Sequence, residues 1–311
     1  MNRRAAIRNL MVAGAGLLAP RFPAAMRQAQ QDYTIRSEVR LVLLDVSVKD
    51  SKGGLVAGLS KDNFQVFENG VLQPITVFAN YDLPVNVGIL VDESRSMTPR
   101  RAEVLSAAEI FLEESNPRDE VFVLNFNDRV KRGLPDGLLF SGNREQLRAA
   151  LYRGHPDGKT ALYDAILDGL RQLELGRRDK KALVVISDGG DTASRHTRRE
   201  TFDAVERSIA TVYTVGLFAD DDPDRDPAML KRLARLSGGE AFFPAGASDL
   251  VAACRGTAQE IRTRYSIGYV PAAGNGDPER RIRVHVRVRG LAGLTARTRT
   301  RYRYDEPNPD R

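Results

Sequence analysis

Hydrophobic positions divide the chain into three stretches. Between residues 36 and 81, apolar residues fall in short β-rich runs separated by turn formers. Residues 39–48 make one such run, 49–54 supply a turn, and 64–68 (Phe-Gln-Val-Phe-Glu) alternate apolar with polar. Asn69-Gly70 offers the positive-φ pair of a tight hairpin turn, so 71–78 is expected to return as the partner strand.

From Pro84 the pattern changes. Residues 85–91 (Val-Asn-Val-Gly-Ile-Leu-Val) form a nearly continuous apolar run, as a strand covered on both faces requires. Further strands are predicted at 121–124, 182–186, 211–215 and 241–243. Helical periodicity separates them at 101–114, 144–152, 161–173, 201–209, 228–236 and 248–263. Strands alternating with helices imply right-handed βαβ units and a mostly parallel, doubly wound, Rossmann-like α/β sheet over 84–263.

After residue 264 the β pattern resumes at 265–270, 281–289 and 294–304. In the second of these Ile282, Val284, Val286 and Val288 share one face. Arg281, Arg283, His285, Arg287 and Arg289 share the other, the alternation of an antiparallel strand wet on one side. Neither β piece is large enough for comfort alone. The expectation is that 33–82 and 265–304 pack together, with the α/β segment inserted between them in sequence.

The 311 residues suffice for about two domains with cores of their own. A single cysteine, Cys254, excludes an internal disulfide framework and any multi-cysteine metal site. Within its predicted helix it reads as a small core residue. The formal charge of +6 is local in origin: residues 1–31 carry five arginines and no acid, and residues 280–304 carry nine more without an acid. The stretch between is net acidic, so a nucleic-acid partner is not expected. The arginine-rich face reads as solvated, with anionic lipid or polysaccharide as the alternative.

The amino terminus reads as an export signal. Arg3, Arg4 and Arg8 precede a short, weakly apolar run over 10–18, far below the ~20 residues that span a bilayer. The Arg3-Arg4 pair resembles a twin-arginine signal. A periplasmic, envelope-associated or secreted location follows, without a transmembrane span.

Candidate chemistry sits at strand ends. The run 85–91 leads into Asp92-Glu93-Ser94-Arg95-Ser96, a D-x-S-x-S sequence. Gly158-Lys159-Thr160 opens a helix, and the run 182–186 ends in Ser187-Asp188-Gly189-Gly190. Ligands of open α/β sheets bind at the carboxyl edge. Two carboxylates and three hydroxyls gathered there suit a hard divalent cation. These three motifs, in this order, resemble the von Willebrand factor A domain with its metal-ion-dependent adhesion site (MIDAS). The resemblance implies Mg²⁺, with Mn²⁺ or Ca²⁺ as alternatives, bound by Asp92, Ser94, Ser96, Thr160 and Asp188. Hydroxyls would then ligate directly, and the carboxylates would act mainly through waters. Lys159, where many relatives carry Gly, departs from the pattern and is expected to point to solvent. The β-rich flanks, including Val48, Asp50, Phe64, Glu68, Gly70 and Tyr269, resemble those of an exported family best known from Acidobacteria.

A cation held by neutral hydroxyls keeps much of its charge and attracts a carboxylate. The expected function is therefore metal-dependent protein binding, the partner supplying an acidic residue, and not catalysis. The alternatives are a hydrolase or metalloenzyme-assembly factor using the same cation, or a structural module with a vestigial site. His155 lacks an acid–base partner in sequence. The run 154–160 has three residues between its glycines where a phosphate loop needs four. The acidic run 220–226 fails the calcium-loop count at positions six and twelve, leaving at most a weak accessory calcium site.

Overall fold

The computed structural model describes residues 41–218, 223–271 and 278–303. The expected export signal at 1–31, Asp220 to Asp222 of the acidic run and the tail from Glu306 lie outside the described residues. No helix among the described residues is long and apolar enough to cross a membrane.

The chain begins with β1 (Val42–Lys49), β2 (Phe64–Glu68), β3 (Val71–Gln73) and β4 (Ile75–Ala79). Asn69 (φ 49°) and Gly70 (φ 84°) make the β2–β3 turn. The single return strand expected over 71–78 is two strands. Pro74 has no N–H for a ladder, so it ends β3, which stays on β2. The chain then crosses to the opposite sheet as β4.

Next come β5 (Val85–Asp92), α1 (Arg101–Glu114), β6 (Glu120–Phe126), β7 (Val130–Arg132), α2 (Arg144–Tyr152) and α3 (Leu162–Glu174). They are followed by β8 (Lys180–Ser187), α4 (Arg198–Arg207), β9 (Thr211–Gly216), α5 (Pro227–Ser237), β10 (Ala241–Phe242) and α6 (Ala247–Thr263). Local chemistry sets the helix ends. Asn143 accepts the Gln146 amide at the start of α2, and Thr197 with Glu200 forms a capping box on α4. Asp226 caps α5 ahead of Pro227, and left-handed Gly238 ends it. The six strands run in the order β10-β9-β8-β5-β6-β7, parallel except for the antiparallel edge strand β7, which sequence patterning did not anticipate. β5 lies centrally and is buried along its whole length.

The remaining strands are β11 (Tyr265–Tyr269), β12 (Glu279–Val286), β13 (Thr295–Arg297) and β14 (Arg301–Arg303). Here too a run read as one strand, 294–304, divides: β13 pairs with β1 and β14 with β12. Two antiparallel sheets result, β13-β1-β11-β4 and β14-β12-β2-β3. Their inner faces share one core, in which Val46 and Ile267 of the first meet Val66 and Val284 of the second. Both flanks of the α/β segment thus contribute strands to a single sandwich. Glu68 and Arg280 face each other inside it, with Nη1 3.3 Å from Oε1, and the hydroxyls of Tyr269 and Tyr302 donate to Oε2 at 2.7 Å.

One buried arginine joins the sandwich to the α/β layers. Arg264 donates from Nη1 to Glu260 (2.9 Å) and the Tyr213 hydroxyl (3.0 Å). Its Nη2 reaches the carbonyls of Asp45 (2.7 Å) and Gly238 (2.9 Å).

Candidate metal-ion site

The chain leaves β5 for β6 on one side of the sheet and later enters β8 on the other. Connections from the carboxyl ends of β5 and β8 therefore diverge, and a crevice opens between them. Asp92 is the last residue of β5, and Asp188 immediately follows β8.

Asp92 is 2% exposed. Its Oδ1 accepts the Ser94 amide at 2.9 Å, which curls the D-x-S turn, and its Oδ2 accepts the Ser187 hydroxyl at 2.6 Å. Ser187, the last residue of β8, thereby ties the two strand ends together, a role that its place in the motif does not announce. Ser94 opens the 3-10 turn Arg95–Arg100. This turn brings the Ser96 hydroxyl to 3.0 Å from that of Ser94 and lets it donate to Asp188 Oδ2 at 2.6 Å. Asp188 Oδ1 accepts the Gly190 amide at 2.9 Å. Gly189 has φ 86°, and a Cβ there would lie 2.4 Å from the Asp226 carbonyl oxygen, so glycine lets the chain turn sharply beneath the carboxylate. Asp92, Ser94, Ser96 and Asp188 are thus joined by one run of contacts.

Thr160 reaches the same rim by backbone contacts. Its carbonyl accepts the amides of Thr192 (2.8 Å) and Ala193 (3.0 Å), just beyond the Asp188 turn. Its amide donates to the Thr192 hydroxyl at 3.1 Å. The loop before it is fastened to the D-x-S turn: the Arg95 amide donates to the Gly158 carbonyl at 3.3 Å, and the Asp157 amide to the Glu93 carbonyl at 2.9 Å. Gly158 has φ 72°, and a Cβ there would meet Asp128 Oδ2 at 2.0 Å. Lys159 is exposed, and its amide is taken by Asp128.

The electrostatics separate two kinds of acid. Buried Glu93 has a built-in counter-ion, Arg101, whose Nε lies 3.0 Å from its Oε2. Burial raises the Glu93 carboxyl, and Arg101 moderates the rise. Asp92 pairs with no lysine or arginine among the described residues. Burial, then the nearby Asp188 charge, push it up to about 7 against the opposing hydrogen bonds from Ser187 and Ser94. Asp92 therefore lacks a cationic partner among the described residues, and the side-chain donor atoms of the five predicted ligands are all oxygens. No cluster of three or more His, Cys, Asp and Glu able to hold a metal occurs among the described residues. A hard divalent cation fits this donor set.

Neighbouring groups are structurally committed. His155 is exposed on the loop before Thr160. His196 Nδ1 lies 2.6 Å from Asp164 Oδ1, and the same carboxylate accepts the amides of Arg195 and His196, a clamp on the loop after Asp188. Asp226, the last residue of the acidic run 220–226, caps α5 and sits 2.6 Å from Arg198 Nη2, and its amide donates to the Asp188 carbonyl at 3.0 Å.

The von Willebrand factor type A domain model matches residues 87–190, the segment that holds all five predicted ligands. A von Willebrand factor type A protein from Catenulispora acidiphila is 17% identical, with 88% of this chain covering 76% of that one at a TM-score of 0.50. The vWF domain of the type V pili tip protein Mfa5 from Porphyromonas gingivalis is 13% identical (58% of this chain, 95% of that one, TM-score 0.48). An aerotolerance-related membrane protein from Bacteroides fragilis is 18% identical (57% and 98%, TM-score 0.46). A search of curated proteins gave no significant match. Between its flanking β strands, this chain is thus similar over residues 87–190 to the von Willebrand factor type A domain.

Proposed function

We propose that the protein is an exported, metal-dependent protein-binding module whose partner supplies a carboxylate to a divalent cation at the sheet's rim. Mg²⁺ is the expected ion. Ser94, Ser96 and Thr160 would hold it through hydroxyls, with Asp92 and Asp188 behind them. The observation that carries this reading is a buried carboxylate, Asp92, which pairs with no lysine or arginine among the described residues and is joined through Ser187 and the serine turn to Asp188. Once bound, the cation supplies the missing positive charge and a point of attraction for an acidic side chain.

Binding is favoured over turnover by what surrounds the site. A hydrolase needs a base within reach of an attacking water. The His196–Asp164 pair is occupied with loop amides, and Glu93 is occupied with Arg101. The cation is proposed to hold a ligand, and the protein is proposed not to be an enzyme.

Affinity capture from envelope extract tests this reading. Full-length protein with Mg²⁺ is expected to retain a partner that EDTA elutes and that Asp92→Asn fails to retain. A partner held equally with EDTA present, or turnover that requires Mg²⁺, would reject it.

A further inference from the structure

Away from the rim, the arginine-rich strand forms one wall of a cleft of about 1290 Å³ between the sandwich and the carboxyl-terminal half of α5. Arg281 and Arg283 stand exposed on the β12 wall, beside His285 and the Phe67 ring it packs on at 5.1 Å. Lys231 and Arg235 of α5 face them across the opening. Arg299, between β13 and β14, lies at the floor.

The balance of charge in this cleft is unusual. Its two acids are engaged: Glu240 by Lys49 and Arg297, and Glu279 by Arg301. Among the described residues Arg281, Arg283, Arg235, Lys231 and Arg299 form no ion pair with a carboxylate. For the exposed four, solvent would suffice. Arg299 is different, because it is only 9% exposed and its one hydrogen bond goes to the Ser208 carbonyl. Burial lowers its pKa from the ordinary arginine value, yet a guanidinium stays charged in proteins. The Asp45 carboxylate offsets that burial only from beyond ion-pair distance, and an anion in the cleft would add an opposite charge at close range.

We propose that this cleft binds a multiply charged, phosphate-type oxyanion, with Arg299 at the floor and Arg281 and Arg283 on the wall. Forked guanidinium donors match phosphate oxygens in pairs, which suits arginine to this task better than lysine. Arg281 and Arg283 are spaced about 7 Å apart along their strand. With Lys231 and Arg235 also lining the cleft, cationic groups spread over both walls favour a ligand with more than one charged group over a lone ion. The metal rim contributes no residue to the cleft, so this site stands or falls independently of it.

Calorimetric titration of the full chain with sodium tripolyphosphate and with inorganic phosphate, at low salt, tests the proposal. Saturable one-to-one binding of tripolyphosphate is expected, at least about tenfold tighter than inorganic phosphate and weakened by added salt. The exposed double variant Arg281→Gln/Arg283→Gln should lose at least about tenfold in affinity with an unchanged melting temperature. Arg299→Gln should lose more, and if it fails to fold the surface pair still decides. Co-sedimentation with phosphatidic acid vesicles, competed away by tripolyphosphate, would assign a lipid headgroup as the source. Tripolyphosphate binding without it would assign a soluble phosphate compound. No saturable binding, or binding undiminished in the double variant, overturns the proposal.

Discussion

Replacing Asp92 with asparagine should make the metal-free protein more stable and the metal-loaded protein less so. In the fold, Asp92 is a buried carboxylate pushed from 3.8 up to about 7 by burial and by Asp188. An acid whose folded pKa is raised contributes stability that is complete below its unfolded value and lost as pH rises through its folded value. Metal-free protein should therefore lose stability between about pH 4 and 7, and the full displacement corresponds to a ceiling on the order of 4 kcal/mol. Asparagine removes the charge and keeps the contacts: its oxygen can take the Ser94 amide, and its NH₂ can donate to the Ser187 hydroxyl. Denaturant melts in EDTA at pH 8 should show Asp92→Asn more stable by about 1–4 kcal/mol, with the gap closing toward pH 4. Saturating Mg²⁺ should stabilise the wild type and leave the variant unmoved. An Asp92→Asn protein less stable than wild type in EDTA at pH 8 would refute the electrostatic argument.

Three further outcomes follow from packing and burial. Gly88 lies in β5 where a Cβ would meet Phe122 Cζ at 2.4 Å and Leu183 Cδ1 at 2.7 Å; Gly88→Ala should cost about 1–3 kcal/mol in chemical denaturation, and a neutral result would mean that the central strand is loosely packed. Arg264→Ala strips five hydrogen bonds to the α/β layers and the sandwich; a loss of about 3–5 kcal/mol is expected, and urea melts should detect it. Burial pushes the Cys254 thiol up to about 12, so an Ellman-type reagent should label the native chain far more slowly than the urea-unfolded chain.

The central sheet was legible because its strands carry their signal locally. The apolar run of β5 needs cover on both faces wherever it sits, and α1 and α2 span the limits that their periodicity predicted, α2 with Asn143 as its local cap. The site's carboxylates and serines were also legible, since strand-end motifs place them at one sheet edge. Choices between sheets were not. Pro74 marks an interruption, but nothing local says that β3 and β4 then join different sheets. The crossing at Thr298 and Arg299 likewise depends on β1 and β12, hundreds of residues away from each other in sequence. β7 is three residues long and is held by β6 rather than by its own pattern. Ser187 and Arg280 acquire their roles from Asp92 and Glu68, distant partners that only the folded chain brings to them.

The most direct measurement is a calorimetric titration of Mg²⁺ and Mn²⁺ into the full chain and into a Ser94→Ala/Ser96→Ala variant whose circular dichroism matches wild type. One ion bound per wild-type chain, and none by the variant, is the expected result. A folded wild type that binds neither ion, or a variant that binds as well as wild type, would contradict a cation site at the rim of this sheet.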